Sequence, residues 1–421
     1  MGDIPAVFPT GPTWEGEGTS RVPFWAYTDP AIYKRELERL FYHGHWCYVG
    51  LEAEIPNHGD FKRTVIGERS VVMTRAEDGA IHVVENVCAH RGMQFCRERH
   101  GNKKELVCAY HQWNYSLKGD LQGVPFRRGV KQDGKVVGGM PKDFKVEEHG
   151  LTKLKVAIRG GVVFASFDHD VESLEDFMGP EIMQYFDRLF DGRKLKILGY
   201  NRQRIPGNWK LMQENIKDPY HPGLLHTWFV TYGLWRADNK SQLKMDARHR
   251  HAAMISTRNN AKVKSEEVTA GVTSFKESMQ VNDQRLLDIV PEEWWGGPTA
   301  VMMTLFPSVI FQQQVNSVST RHIQPNGHGS FDFVWTHFAF EDDTPEMIQR
   351  RLIQANLFGP AGFVSADDGE VIELSQEGFE QKPHHRALVE LGGAEIGDTD
   401  HMVTETLIRG MYEYWRKVMG V

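Results

Sequence analysis

The sequence is poor in cysteine and has no long apolar run. Its 421 residues include only four cysteines, Cys47, Cys88, Cys96 and Cys108, fewer than a secreted chain held by disulfides would normally carry. No apolar run approaches the ~18 residues of a membrane-spanning helix, and the N-terminal segment lacks the basic and then apolar layout of a signal peptide. We therefore expect a cytoplasmic protein without a membrane segment. The clustering of the cysteines in the first third of the chain favours a metal site over a disulfide framework.

An excess of positive charge is also missing. Lys and Arg number 49 against 56 Asp and Glu, which gives a net charge of −7. Such a chain is a poor candidate for binding nucleic acid or an anionic membrane surface. Its 40% hydrophobic and 25% charged residues are ordinary for a globular protein. At ~150 residues per domain, its length predicts two or three domains.

The chain divides into a β-rich part and a mixed part. From residue 42 to residue 167, short β-prone runs such as Phe61–Ile66 and Ser70–Thr74 alternate with turn sequences such as Gly67-Glu68. Outside this region, helical spacing at Tyr33–Phe41 and a Thr344-Pro345 helix start accompany β-branched and aromatic runs that predict strands, at Val309–Ile323 and Phe331–Phe340.

This pattern predicts an α+β fold with a discontinuous second domain. An all-β domain, 42–167, is inserted in a mixed domain made of 1–41 and 168–421, in which an antiparallel sheet is flanked by helices. Residues 257–285 are polar and weakly patterned, and we expect a mobile loop or lid there.

The first chemical motif pairs thiols with imidazoles. Cys88 and His90 are followed, after seventeen residues, by Cys108 and His111, which gives C-x-H and then C-x-x-H. If both cysteines bind one iron and both histidines the other, the result is a Rieske 2Fe–2S cluster. Two Cys and two His also make a structural zinc site, and Cys96 with His100 offers a competing set. The crossed Cys-His order is atypical of zinc fingers and favours the cluster.

The second motif is a pair of histidines, His221 and His226, that follows Glu214-Asn215 and Asp218. Two His and one carboxylate form the facial triad of mononuclear non-haem iron oxygenases. On a straight helix, positions i and i+5 lie about 140° apart, so the helix must be distorted, and Pro219, Pro222 and Gly223 could distort it. The carboxylate lies elsewhere, and the residues alone leave four candidates open: Asp367, Asp368, Glu370 and Glu373.

Together these motifs resemble one enzyme family. C-x-H-x17-C-x-x-H, E-N-x-x-D-x-Y-H-x4-H and G-P-A-G followed by D-D-G-E occur in the order found in the large subunit of Rieske non-haem iron aromatic-ring-hydroxylating oxygenases. The resemblance covers nearly the whole chain. It implies a Rieske 2Fe–2S cluster and a mononuclear Fe(II), with Cys88 and Cys108 on one cluster iron, His90 and His111 on the other, and His221, His226 and Asp368 on the mononuclear iron.

The resemblance also implies partners. It implies that Asp218 bridges the two metal centres between neighbouring large subunits in a trimer, α3β3 with a small beta subunit or α3 alone. Electrons would come from a ferredoxin and an NADH-dependent ferredoxin reductase. No G-x-G-x-x-G site follows a predicted strand, so we do not expect this chain to bind NADH itself.

Within the family the chain is most similar to benzoate-type oxygenases such as terephthalate and anthranilate dioxygenases. Ser20–Phe24, Gly123–Phe126 and Pro206–Lys210 resemble the salicylate 5-hydroxylases. This resemblance implies O₂-dependent hydroxylation of a small aromatic acid, salicylate to gentisate. The alternatives are cis-dihydroxylation of another aromatic acid and, from a different class, a Rieske electron carrier without mononuclear iron.

The carboxylate of such a substrate needs a polar partner in an apolar pocket. By the period-two alternation of a strand, Gln312, Gln314 and Asn316 would share one face. Arg321 would join them if a bulge turned it inward.

Overall fold

The computed structural model describes residues 12–16, 18–232, 234–236, 239–258 and 282–421. The chain falls into two compact units, one of Tyr42–Val171 and the other of the segment that ends at Phe41 together with Glu172–Val421. Most of the predicted mobile loop at 257–285 lies outside the described residues. No helix among the described residues is long and apolar enough to cross a membrane.

The N-terminal segment contributes short elements to the larger unit. Strand β1 (Arg21–Pro23) precedes helices α1 (Trp25–Thr28) and α2 (Pro30–Glu36). Asp29 caps α2, because its carboxylate accepts from the backbone N–H groups of Ala31 and Ile32. The helix predicted at Tyr33–Phe41 is only partly α-helical, since a π-helical turn, Leu37–Phe41, follows α2.

The smaller unit consists of antiparallel strands. Its sheets have the orders β12-β13-β2, β5-β4-β3-β6, β7-β8-β9 and β10-β11. Two 3₁₀ helices, Glu52–Glu54 and Val146–Glu148, join them. The strands are β2 (Cys47–Leu51), β3 (Asp60–Ile66), β4 (Arg69–Arg75), β5 (Ile81–Glu85), β6 (His100–Asn102), β7 (Leu106–Val107), β8 (Asn114–Tyr115), β9 (Leu121–Gly123), β10 (Val130–Gln132), β11 (Lys135–Val137), β12 (Lys155–Arg159) and β13 (Val162–Ser166).

A seven-stranded antiparallel sheet organises the larger unit, in the order β14-β20-β19-β18-β17-β16-β15. Its strands are β14 (Leu195–Ile205), β15 (Lys240–Met245), β16 (Ala252–Thr257), β17 (Ala300–Leu305), β18 (Val309–Gln314), β19 (Ser317–Pro325) and β20 (Phe331–Phe340). The single strand predicted over Val309–Ile323 is wrong, because the chain turns back at Val315-Asn316 and forms the β18–β19 hairpin. The central strands β18 and β19 are buried along nearly their whole length.

Helices cover both faces of this sheet. On one face Phe186 packs edge-on against Phe311, with ring centroids 5.2 Å apart; on the other, Ser365 donates to the amide oxygen of Gln203 on β14. The predicted α+β class, an all-β unit inserted in a mixed unit with a helix-flanked antiparallel sheet, is confirmed. The remaining helices are α3 (Leu174–Met178), α4 (Pro180–Leu189), α5 (Trp209–Lys217), α6 (Pro222–Leu225), α7 (Thr227–Thr231), α8 (Pro345–Phe358), α9 (Ser365–Gln381) and α10 (Thr406–Met419).

The other short elements of this unit are β21 (Arg386–Leu388), which pairs with β1, and the 3₁₀ helices Gln284–Leu287 and Glu293–Trp295. Helix α8 begins as predicted, with Thr344 accepting from the backbone N–H of Met347 and proline at the first helical position.

Candidate metal centres

In the smaller unit, Cys88 and Cys108 open two loops of the same construction. The backbone N–H of each cysteine donates to the carbonyl five residues later, of Met93 or Trp113, and each cysteine carbonyl accepts from the N–H four residues later. That fourth residue has a left-handed backbone in both loops, with φ of 74° at Gly92 and 55° at Gln112. Each loop therefore presents one thiol and one imidazole, as the spacing predicted.

The donor atoms of these loops fit a two-iron cluster. The Nδ1 atoms of His90 and His111 are buried and have no hydrogen-bond partner among the residues that the structure describes, and the two rings lie 4.5 Å apart between centroids. A single zinc ion needs all its ligand atoms within about 4 Å of one another. Among the described residues, which include all four of these, only the set His221, His226 and Asp368 brings three ligand atoms within 4.8 Å. The two loops thus fit a cluster better than one ion.

The other two cysteines are core residues, and Cys96 packs in the same hydrophobic cluster as Cys88 and Cys108. Cys47 and Cys96 are both buried, and the Cys96 thiol donates to the carbonyl of Glu98, 3.5 Å away. A tyrosine also lies at the predicted cluster ligands, since the Cys88 sulfur contacts the hydroxyl of Tyr115 at 3.2 Å. This tyrosine was missed in the sequence, although it follows the C-x-x-H motif by four positions.

In the larger unit, a broken helix solves the spacing problem of His221 and His226. Helix α5 is capped by Asn208, which accepts from the N–H of Lys210, and it ends at Lys217 before Asp218-Pro219. His221 and His226 then flank the single-turn helix α6, and their ring centroids lie 5.5 Å apart.

Helix α9 brings the carboxylate. Gly369 lets the helix approach the sheet closely, since a Cβ there would lie 2.4 Å from the Gln203 amide nitrogen. Gly362 is required in the preceding loop, where a Cβ would lie 2.1 Å from the carbonyl oxygen of Leu357. With α9 held in this way, Oδ1 of Asp368 lies 3.2 Å from His226 Nε2 and 3.6 Å from His221 Nε2.

Hydrogen bonds on the far side of each imidazole fix which nitrogen faces Asp368. His221 Nδ1 lies 2.8 Å from the backbone carbonyl of Asp218, and His226 Nδ1 lies 3.0 Å from the carboxylate of Asp367. Because these partners accept, both Nδ1 atoms carry the proton and both Nε2 lone pairs are available to a metal ion. The role of Asp367 was missed in the sequence, where it only competed with Asp368 as a ligand.

The electrostatics of this site favour a cation. Burial alone lowers the pKa of His221, but the nearby carboxylates of Asp218 and Asp368 outweigh it and raise that pKa to about 10. The pKa of Asp368 lies well below its usual range, because both imidazoles outweigh the effect of its burial. Asn215 donates to Asp368 Oδ1 over 3.1 Å, and its own Oδ1 is buried without a partner. The three ligands therefore fit a mononuclear iron.

The Asp218 carboxylate bonds the backbone at His221 and just before it. Its Oδ1 accepts from the backbone N–H groups of Tyr220 and His221, at 3.2 and 3.1 Å, and so caps the turn. The same oxygen lies 3.7 Å from His221 Nδ1, beyond hydrogen-bond distance, and the imidazole uses the backbone carbonyl of Asp218 instead.

Of the predicted pocket residues, Gln314 lines a mostly apolar cavity of about 100 Å³ beside the two prolines that flank His221, Pro219 and Pro222. Gln312 is buried on the same face of β18 and hydrogen-bonds Gln314. Asn316 does not share this face, because it lies in the hairpin turn, where its side chain bonds the backbone of Val290 and the carboxylate of Glu292.

Arg321 lies on the sheet face that carries Gln312, and no bulge is needed to turn it inward. It pairs in register with Ile310 and Trp335, and its guanidinium carbon lies 3.9 Å from the Trp335 ring centroid. The side chain is buried, and its Nε and Nη2 atoms have no hydrogen-bond partner within the described part of the chain. Burial lowers its pKa to about 9, against the effect of the Asp368 carboxylate, so Arg321 is a buried cation near neutral pH.

Comparison with known proteins agrees with this geometry. Residues 187–421 match the catalytic domain of the ring-hydroxylating alpha subunit, and residues 45–133 match the Rieske 2Fe–2S domain. The chain is 83% identical over 414 residues to the large oxygenase component of salicylate 5-hydroxylase from Ralstonia sp., covering 98% of both chains. It is 40% identical to the large subunit of anthranilate 1,2-dioxygenase from Burkholderia cepacia, covering 95% of this chain and 94% of the relative.

A solved structure has the same fold. Naphthalene 1,2-dioxygenase from Rhodococcus sp., bound to indole, superposes with a TM-score of 0.77 at 22% identity, covering 95% of this chain and 94% of that one. The chain therefore belongs to the Rieske ring-hydroxylating oxygenases, as a large subunit of the kind that carries a 2Fe–2S cluster and a mononuclear iron.

Proposed function

We propose that this chain is the large oxygenase component of a salicylate 5-hydroxylase, which converts salicylate to gentisate. The observation that carries the substrate class is Arg321, a buried cation with two unpartnered nitrogens on the sheet face that also carries Gln314. An unpaired buried charge is costly, and a substrate carboxylate would satisfy it. The 83% identity to a relative of that name supports the choice of salicylate.

The metal roles follow from the donor sets. Cys88 and Cys108 would hold one cluster iron, and His90 and His111 the other, through their buried Nδ1 atoms. His221, His226 and Asp368 would hold the mononuclear iron. When bound, the cluster supplies electrons singly and the mononuclear iron binds and activates O₂.

The chain's own residues would bind and orient the substrate. Arg321 would hold the carboxylate, with Gln314 as a second polar contact from the cavity wall. The cavity is lined mainly by apolar side chains, which exclude water from the ring; these include Phe229, Leu234, Trp235, Leu243, Met254 and Met302. In salicylate, C5 lies para to the phenolic hydroxyl and is electron-rich, so hydroxylation is favoured there once the carboxylate is held away from the metal.

The complete reaction needs partners. Salicylate, O₂, two electrons and two protons give gentisate and water, and we propose that a ferredoxin and an NADH-dependent ferredoxin reductase deliver the electrons. A small beta subunit would complete an α3β3 assembly, with α3 as the alternative. We propose 42–167 as the Rieske domain and 1–41 with 168–421 as the catalytic domain. Asp218 would bridge the cluster of one large subunit and the mononuclear iron of the next, and electrons would pass between the two centres at this contact.

Product analysis tests this proposal. The holoenzyme with an electron-transfer system should convert salicylate to gentisate, with one atom from ¹⁸O₂ in the new hydroxyl. A cis-diol or a catechol, formed best from anthranilate or terephthalate, would instead favour the dioxygenase alternative. Relatives named as anthranilate and terephthalate dioxygenases, 40% and 39% identical to this chain, support that alternative.

Arg321→Leu should raise the KM for salicylate by about 10- to 100-fold, because a hydrogen bond to a charged group contributes roughly 1.5–3 kcal/mol. Arg321→Lys should recover part of this loss. Arg204→Leu is the matched control, since Arg204 lies on the same sheet but pairs with Asp332 and is largely exposed. An unchanged KM in Arg321→Leu, or salicylamide turned over as well as salicylate, would contradict carboxylate recognition by Arg321.

A further inference from the structure

Two neighbouring glutamines on β18 are joined by a side-chain hydrogen bond. Nε2 of Gln312 donates to Oε1 of Gln314 over 2.6 Å. Gln312 is fully buried, whereas Gln314 is 9% exposed and lines the cavity that Pro219 and Pro222 also line. Because this hydrogen bond uses Oε1 of Gln314, Nε2 of Gln314 remains as a donor. This nitrogen has no hydrogen-bond partner among the described residues.

The surroundings of Gln312 favour this direction of the bond. Its Oε1 is buried without a partner, and Ser319 lies directly opposite in the β18–β19 register, with an equally unpartnered hydroxyl. Arg321, the next residue of β19 on that face, adds two unpartnered N–H donors. An oxygen beside donors is favourable, whereas the reversed amide would turn its NH₂ group toward them and leave more donors unsatisfied.

We infer that Gln312 is a positioning residue that holds the Gln314 amide with its NH₂ group toward the cavity, so that the cavity selects ring substituents that accept hydrogen bonds. This inference rests on the proposed function, in which this cavity receives the aromatic acid. It adds a specificity rule that Arg321 alone does not give. An uncharged acceptor such as a carbonyl is admitted, and a donor such as an amine is disfavoured even where charge plays no part.

Two uncharged probes measure this rule in the holoenzyme by titration calorimetry. 2-Hydroxyacetophenone offers a carbonyl acceptor beside the hydroxyl, and 2-aminophenol offers an amine donor at the same place. In the wild type the acceptor should bind about tenfold more tightly, the equivalent of one neutral hydrogen bond. Gln312→Met keeps the side-chain volume but frees the Gln314 amide to rotate. Salicylate should then bind several-fold more weakly, and the ratio of the affinities for the acceptor and donor probes should fall towards one.

Gln314→Glu gives an independent reading that leaves Gln312 intact. The new carboxylate still accepts from Gln312 and turns its other oxygen to the cavity. Salicylate should then bind about 100-fold more weakly, and the donor probe should bind better than the acceptor probe. Gln313→Met is the matched control, because Gln313 points to the opposite face of β18, where it contacts Arg188, and the preference should be unchanged.

The outcomes separate the inference from the proposed function. If Gln314→Leu weakens salicylate binding but Gln312→Met keeps the full acceptor preference, Gln312 does not orient the amide and the inference is overturned alone. An acceptor preference that survives Gln314→Glu would overturn it as well. If Gln314→Leu leaves salicylate binding unchanged, the cavity is not the substrate site, and the inference falls whichever product the wild type forms.

Discussion

The imidazole of His226 lies between two consecutive carboxylates, Asp367 at Nδ1 and Asp368 at Nε2. The residues alone left these two open as ligands, together with Glu370 and Glu373. The geometry separates them: Asp368 is buried among both imidazoles, and Asp367 is about 40% exposed and reaches only one. A carboxylate on the far nitrogen fixes the tautomer of a ligating histidine and raises its basicity.

Asp368→Ala should therefore lose the mononuclear iron, whereas Asp367→Asn should bind it roughly 10- to 100-fold more weakly. Chelator competition measures the affinity, and the Rieske absorption spectrum of both variants should be unchanged. Glu370→Gln, exposed on the same helix, is the control and should bind iron normally. An Asp367→Ala variant that loses iron while Asp368→Ala retains it would show that the ligand is Asp367.

Tyr115 gives a second residue-scale prediction. Its hydroxyl is 3.2 Å from the Cys88 sulfur, and a hydrogen bond to a ligating sulfur stabilises the more negative, reduced cluster. Tyr115→Phe should lower the reduction potential by roughly 40 mV, for a differential of about 1 kcal/mol in a one-electron couple. Protein-film voltammetry measures this shift. A potential equal to that of the wild type would mean that the hydroxyl does not donate to the cluster.

At the scale of elements, sequence pattern located half of the described strands of the smaller unit, where Gly- and Asp-containing turns separate β-prone runs. The same reasoning missed the β18–β19 hairpin. A two-residue hairpin turn with a left-handed first position normally has glycine there, but that position is Val315, with φ of 47°. The turn is specified instead by distant residues, since Asn316 accepts from the N–H of Val290, and its backbone bonds the side chains of Gln354 and Arg351.

Asn316→Ala should therefore destabilise the fold rather than weaken substrate binding. Asn316 is fully buried, and removing its side chain leaves the Val290 N–H and carbonyl unpaired, at a cost of roughly 2–4 kcal/mol. Denaturant unfolding measures the loss, and the KM for salicylate should stay near that of the wild type. Asn326→Ala, in the exposed β19–β20 turn, is the control, expected within about 0.5 kcal/mol. If Asn316→Ala raised the KM for salicylate and left the stability unchanged, Asn316 would instead be a substrate-binding residue.

For the whole molecule, the motifs predicted the candidate metal ligands but not how they meet. His221 and His226 come together because the chain breaks between α5 and the one-turn helix α6. Asp368 lies on α9, which comes much later in the sequence. The first fact is local, and the prolines predicted it as a distorted helix; the second is not local and could not be read from spacing. The contact that distinguishes the role of Asp367 from that of Asp368 depends on the same long-range packing.

Electron transfer between large subunits is the property that only the assembled molecule can have, and Asp218 is the residue proposed for it. Its carboxylate has a local role, since Oδ1 caps the turn before His221. Asp218→Asn separates the two roles, because an amide oxygen can still cap the turn but the charge that would accept from a cluster histidine is gone.

Asp218→Asn should keep both metals and the oligomeric state, yet slow cluster oxidation by orders of magnitude when reduced enzyme is mixed with salicylate and O₂ in a single turnover. Asp218→Ala should be equally slow and should also lose stability, by about 1 kcal/mol for the missing cap. Stopped-flow absorbance of the cluster measures the rate directly. If Asp218→Asn oxidises its cluster at the wild-type rate and only Asp218→Ala is impaired, the residue is a turn cap, and electrons must pass between the centres by another contact.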